Sequence, residues 1–249
     1  MSRLDSVLRD LAPTGRVRAA INFGNPVLAQ PDGSTGEPSG VSVDLAREIA
    51  HRLGVEIDLI TFDAAGKVTA AVRDGVWDLA FLAIDPARAV EIAFTAPYVV
   101  IEGSYIVRQD SPLRVIEDFD RDGVRIAVGR GAAYDLFLTR TLKSAELVRA
   151  DTSAGAVDLF AASGLDAAAG VRQPLLAYAA QNPGYRVIPG RFTAIEQAIC
   201  LPRGHEAGHA WLHGFVEEMK ASGFVAAALA RHRQRDAAVA PPAPAGTGA

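Results

Sequence analysis

The sequence predicts an α/β protein in which a mostly parallel sheet is built twice, and three observations predict it. Short β-like runs alternate with helical runs from Gly15 onward, the alternation begins afresh after residue 113, and 49% of the 249 residues are hydrophobic, enough to fill real cores. Strand, helix, strand order with connections of this length requires right-handed crossovers and hence parallel neighbours. No close sequence repeat accompanies the architectural one.

In the first series, RVRAAINF (16–23) reads as a strand, followed by a turn-rich insert, AQPDGSTGEPSG (29–40). Next comes VSVDLAREIAHRLG, where Leu45, Ala46, Ile49, Ala50 and Leu53 recur at helical spacing, with Ser42 as the expected N-cap and Gly54 as the stop. VEIDLITF (55–62) reads as the next strand, KVTAAVRDG (67–75) as a short helix and WDLAFLAI (77–84) as a strand buried on both faces. In the second series GVRIAVGRG (123–131), ELVRA (146–150) and LDAAAGV (165–171) read as strands. The intervening helices are AYDLFLTRTL (133–142) and SAGAVDLFAASG (153–164), and a third helix opens at QPLLAYAAQNP (173–183), its proline in the first turn where a missing N–H costs least. RFTAIEQAICL (191–201) is a further strand. The chain then turns amphipathic, with Trp211, Leu212, Phe215, Val216 and Met219 on one helical stripe read as core.

Composition excludes several classes. Net charge is -4 with scattered Lys and Arg, so a nucleic-acid partner is not expected. The lone Cys200 can form neither an intramolecular disulfide nor a Cys-based zinc site, and reads as a small buried hydrophobe. His205, His209 and His213 share four-residue spacing, but glycines at 204, 208 and 214 loosen that segment, so the solvated-face reading outweighs a metal site; no metal or cofactor is expected. No nucleophile elbow, Walker loop or dinucleotide fingerprint occurs. The N-terminus is broken by Arg3, Asp5, Arg9, Asp10 and Arg16, so as written it reads as cytoplasmic and not as a secretory leader. Residues 237–249, AAVAPPAPAGTGA, are expected to be a disordered tail.

The stretch AIDPARAVEIAFTAPY (83–98) fixes one arginine, Arg88, between an Asp-Pro turn and an apolar crossover. A guanidinium is a permanently charged fork that matches a carboxylate with two parallel hydrogen bonds. It stands just past the end of a parallel strand, where open α/β sheets place ligands. The competing reading is a structural arginine paired with Glu91 or capping loop carbonyls.

Taken together, GVSVDLAREIAHRLGV, GVWDLAFLAIDPARAVEIAFTAPY, GVRIAVGRGAAYD and LDAAAGVRQPLLAY, in this order, resemble the amino-acid-type (family 3) bacterial extracellular solute-binding proteins of ABC importers over about residues 15 to 233. The resemblance implies a two-lobed, type II periplasmic-binding-protein-like fold: two mostly parallel sheets joined by two crossing hinge strands, with ligand held between the lobes. Lobe 1 would be residues 1–105 plus 196–236 and lobe 2 residues 106–195, with hinges near 103–108 and 194–200. It implies a small-molecule ligand, a monomer, an ABC permease as possible partner, and a periplasmic location at odds with the N-terminus as written. It also assigns Arg88, beside Asp85, to the ligand's carboxylate.

Departures from the family pattern sharpen the ligand expectation. Phe81-Leu82-Ala83-Ile84 lacks the usual hydroxyl, and Gly131-Ala132-Ala133 lacks the usual threonine, leaving backbone N–H groups at 132 and 133 as anion donors. Where the family presents an aspartate for an ammonium, the chain reads Val171-Arg172-Gln173. The expected ligand is therefore an organic anion or atypical amino acid bound between Arg88 and Arg172, with Gln173 adjacent and Glu196 as the one acid able to rescue an ordinary amino-acid reading. Asn22, Phe23 and Phe81 are candidate walls, Phe81 reading better as core. A cyclohexadienyl (prephenate/arogenate) dehydratase, with Asp85 or Glu196 as general acid, and a cytosolic ligand sensor are the alternatives on the same fold.

Overall fold

The computed structural model describes residues 2–234 and 236–244. The chain opens with α1 (Arg3–Leu11), β1 (Arg16–Asn22), the short β2 (Gln30–Pro31) and β3 (Pro38–Ser39), α2 (Val41–Leu53), β4 (Glu56–Phe62), α3 (Ala65–Ala70) and β5 (Leu79–Ala83). A 3-10 turn at Arg88–Val90 leads into the long β6 (Ile92–Arg108). Then follow β7 (Arg125–Gly129), α4 (Ala133–Thr141), β8 (Glu146–Ala150), α5 (Ser153–Ala162), β9 (Ala167–Val171), α6 (Arg172–Gln181) and β10 (Tyr185–Val187). β11 (Thr193–Pro202), α7 (Glu206–Ala221), α8 (Phe224–Arg231) and β12 (Ala238–Val239) complete the described chain.

The chain divides into two compact units. Unit 1 comprises Met1–Phe62, Lys67–Val100 and Glu196–Ala249; unit 2 comprises Asp63–Gly66 and Ile101–Ile195. Besides the short excursion at Asp63–Gly66, the chain passes between them within β6, after Val100, and within β11, after Ile195.

In unit 1 the parallel ladder runs from β4 through β1 to β5, with β11 antiparallel on β5. β5 is buried at every position, as its uninterrupted apolar run requires of a strand covered on both faces. α2 buries Leu45, Ala46, Ile49, Ala50 and Leu53 along one stripe. Its N-cap is Gly40 and not Ser42, which lies inside the first turn with its hydroxyl 3.1 Å from the Tyr98 hydroxyl. Gly40 has φ +133°, and a Cβ there would lie 2.3 Å from the Leu28 carbonyl oxygen, so no side chain fits. On α7, Leu212, Phe215, Val216 and Met219 are buried as the stripe predicts, while Trp211 is half-buried and stacks on Phe215.

The N-terminal residues read only as a charged stretch in the sequence form α1, closed by a capping box between Ser2 and Asp5. The expected disordered tail is also corrected. Ala238–Val239 pairs antiparallel with Val99 and Val100 of β6, and Ala240 is buried. Backbone pairing supplies what small side chains cannot, which is why composition missed it. Residues 245–249 of that tail lie outside the described residues.

In unit 2, β7 pairs parallel with β8 on one side and β9 on the other, and β9 pairs antiparallel with Gly103–Ile106 of β6. Alternation splits the side chains between two cores. Ile126, Val128, Ala167 and Ala169 face a cluster containing Tyr105 and Phe119, whereas Ala127 and Ala168 face one containing Phe160 and Leu175. Tyr105 and Phe119 stack with ring centroids 3.9 Å apart. No helix among the described residues is long and apolar enough to cross a membrane.

Candidate functional site

In unit 1 the site grows from the C-terminal end of β5. The strand stops at Ala83, the Asp85 carboxylate accepts the Ala87 N–H, and Asp85 O accepts the N–H of Arg88 and of Ala89, which winds the 3-10 turn. This folds Arg88 back over the strand end: the residue is only 2% exposed, and Nη1 donates to the Ala83 carbonyl at 2.9 Å. Burial pushes the guanidinium's pKa down while Asp85 and Cys200 push it up. Arginine's ordinary value is high enough that the group stays charged. Glu91, its alternative partner from sequence, is bound by Arg73 at 2.5 Å. The capping of a loop carbonyl is thus real, and it positions a buried cation at the strand end.

Asp85 is itself buried, Asn22 ends the neighbouring β1, and Phe23 follows it. Asn22 Oδ1 accepts the Gly24 N–H, and the Phe23 N–H donates to the Phe62 carbonyl. Phe81 is core: it lies on fully buried β5 with its ring edge-on to Tyr98. Cys200 is buried too, its thiol pushed up to about 12 by desolvation. Sequence reasoning missed Gln197, which is 5% exposed and the register partner of Ala83. The signal was there in the alternation of AIEQAIC: adjacent strand residues face opposite ways, so an exposed Glu196 implies an inward Gln197. Glu196 lines a separate groove of about 360 Å³ with Phe94–Pro97, His209, His213 and 241–244.

Unit 2, taken by itself, carries two turns at the C-terminal ends of the adjacent parallel strands β7 and β9. The glycine turn after β7 has Gly131 at φ +69°, and a Cβ there would lie 2.9 Å from Gly66 Cα, so the close approach of two backbones demands glycine. The turn's donors differ from expectation. The Gly131 N–H donates to Asp135 Oδ2 at 2.8 Å and the Ala132 N–H to the Gly129 carbonyl at 3.0 Å, so the expected anion donor at 132 is already committed. Asp135 is buried and paired with Arg149 at 3.0 Å.

Arg172 and Gln173 begin α6 immediately after β9. Arg172 Nη1 donates to the Gly190 carbonyl at 2.5 Å, and its Nε lies 3.9 Å from Glu102, which Arg191 also contacts at 3.1 Å. Its side chain is 28% exposed and its charge is shared inside unit 2. The three histidines do not converge: His205 precedes α7 beside Asp10, and His209 Nε2 lies 2.8 Å from the Phe94 carbonyl oxygen. No group of three or more metal-ligating side chains is found among the described residues.

The profile of the family described as bacterial extracellular solute-binding proteins, family 3, matches residues 18–234. Among solved structures, a mutant of ArgBP from T. maritima is similar at TM-score 0.78 and 22% identity, covering 94% of this chain and 100% of that one. The ancestral amino acid-binding protein AncCDT-1, a precursor of cyclohexadienyl dehydratase, is similar at TM-score 0.74 and 21% identity, covering 92% and 99%. At this identity such likeness shows the fold, that of the type II periplasmic binding proteins. The virulence sensor protein BvgS of Bordetella pertussis is 29% identical over 129 residues, 51% of this chain. The chain spans only 10% of that relative's length.

Proposed function

The chain belongs to the bacterial extracellular solute-binding proteins, family 3, and from that membership we propose that it binds a small solute through a carboxylate gripped by Arg88, for ABC-type uptake. The observation that carries the reading is the buried guanidinium at the end of β5, oriented by the Ala83 carbonyl and steadied by Asp85. A desolvated fork of donors strengthens a charge-assisted bond to a carboxylate. A bound solute would favour whichever conformation it binds more tightly.

The solute is an organic anion or an amino acid. The missing aspartate at Val171-Arg172 speaks for the anion, while the sharing of Arg172 with Glu102 and Gly190 softens the repulsion an ammonium would meet. ArgBP and AncCDT-1, an amino acid-binding protein, lend weight to the amino acid. Thermal-shift screening of amino acids beside mono- and dicarboxylates tests the proposal, since a bound solute raises the melting temperature by mass action. A panel without a single stabilising carboxylate, or stabilisation unchanged in Arg88→Ala, overturns it.

The BvgS similarity favours a second reading, in which the same grip serves ligand sensing. Dehydratase chemistry, suggested by AncCDT-1, would need Asp85 or Glu196 as general acid. Turnover of prephenate by purified protein separates it from simple binding.

A further inference from the structure

The segment 236–244 is made of small residues and prolines, yet it is fastened to unit 1 at three places. Ala238 and Val239 pair with Val100 and Val99 of β6, and the Ala240 N–H donates to the Tyr98 carbonyl at 3.1 Å. Farther on, Lys220 Nζ on α7 donates to the Pro241 carbonyl at 2.9 Å, and the Ala243 N–H donates to Glu217 Oε2 at 3.2 Å. Lys220 and Glu217 are themselves an ion pair at 2.7 Å, and the Lys220 side chain is only 4% exposed. A lysine is rarely buried this deeply unless something covers it.

Two features make this fastening reversible. Prolines at 241, 242 and 244 have no N–H, so the ladder cannot extend beyond Ala240, and the segment stands off from β6 across the groove lined by Phe94–Pro97, His209 and His213. A few hydrogen bonds must then offset the ordering of nine residues, which places the segment at the low-stability end of the fold. Its location gives the detachment a consequence. Tyr98, Val99 and Val100 are the last residues of β6 in unit 1 before the chain enters unit 2 at Ile101.

We propose that residues 236–244 form a latch on the crossing strand: docked, it holds the backbone of β6 in extended geometry as far as Val100, and released, it lets that strand flex from Tyr98 onward. A paired strand has its φ and ψ restrained by the ladder, and β6 also has β11 as a hydrogen-bonded neighbour, so docking adds a second ladder at Val99 and Val100 while release leaves that stretch of β6 less restrained. The latch itself requires no ligand. Its use, setting how readily the protein changes shape on binding solute, rests on the function proposed above.

Native-state amide exchange of the full chain tests it against two variants, a chain ending at Gln234 and the full-length Lys220→Met/Glu217→Gln pair, which removes the anchor without shortening the protein. Exchange in 98–100 should rise at least tenfold in the truncated chain and measurably in the double variant, together with 238–240, while Arg125–Gly129 in unit 2 stays protected. Unchanged protection at 98–100 overturns the latch, and so does loss of protection throughout unit 1, which would make the segment ordinary core. Titration with L-arginine and with succinate then forms a separate arm. If either binds, its affinity should differ between full and truncated chains, and an equal affinity overturns the link to binding. If neither binds, the exchange result still decides the latch.

Discussion

Arg88 and Arg172 each follow the C-terminal end of a parallel strand, β5 in unit 1 and β9 in unit 2, yet the protein treats the two cations differently. Arg88 is almost wholly buried and oriented by a backbone carbonyl, with Asp85 supporting its charge. Arg172 is partly exposed and shares Glu102 with Arg191 while spending a further donor on Gly190. Desolvation separates them. A buried guanidinium gains strongly from an incoming carboxylate, whereas a screened one with a resident acid gains little. In the function proposed above the first turn receives the solute's charge, while the second ties the start of α6 to Gly190 and Glu102.

The comparison breaks first at Arg88. Arg88→Ala should weaken carboxylate binding at least thirtyfold, since truncating one partner of a buried charge pair costs roughly 2–5 kcal/mol. Isothermal titration with the best solute from the thermal-shift screen measures it. The same change leaves the Ala83 carbonyl without that donor, so stability should also fall by about 1–3 kcal/mol, read by urea unfolding. Arg88→Lys, keeping charge but not the fork, should recover part of the stability and little of the affinity.

Asp135→Ala tests the corresponding turn of unit 2. It removes the acceptor for the Gly131 N–H and the partner of Arg149, and should cost about 1–3 kcal/mol in urea unfolding. Alkaline titration probes the surroundings of Arg88. Cys200 is raised from its ordinary 9.0 to about 12, and Tyr98 is raised as well, both by burial. The folded protein therefore keeps protons that the unfolded chain releases, so this contribution is complete below pH 9 and is lost as the pH climbs toward 12. Urea midpoints measured from pH 8 to pH 11 should fall, and Cys200→Ala should flatten the fall. The smallest effect is expected from Arg172→Ala, at most about 1 kcal/mol in stability and under about tenfold in succinate affinity. A loss comparable to that of Arg88→Ala would erase the distinction between the two cations.

Much of this was legible beforehand, for identifiable reasons. The burial of β5 follows from a run of apolar residues with no polar interruption, and the stripe on α7 from its helical period. Gly40 as cap in place of Ser42 was not legible, because it depends on how closely Leu28 passes. The commitment of the Ala132 N–H and the pairing of Arg172 with Glu102 were hidden for a similar reason, since both depend on partners set by the turn's geometry or brought from far along the chain. The ordering of 238–244 was invisible to composition because its anchors lie on β6 and α7.

Local pattern, then, determined the elements, their order and the position of a charged turn, since side-chain periodicity and turn chemistry act over a few residues. Which charges stay buried, which are neutralised and which segment is pinned were decided only by the tertiary structure. Desolvation and hydrogen-bond pairing depend on neighbours that no single stretch of sequence contains.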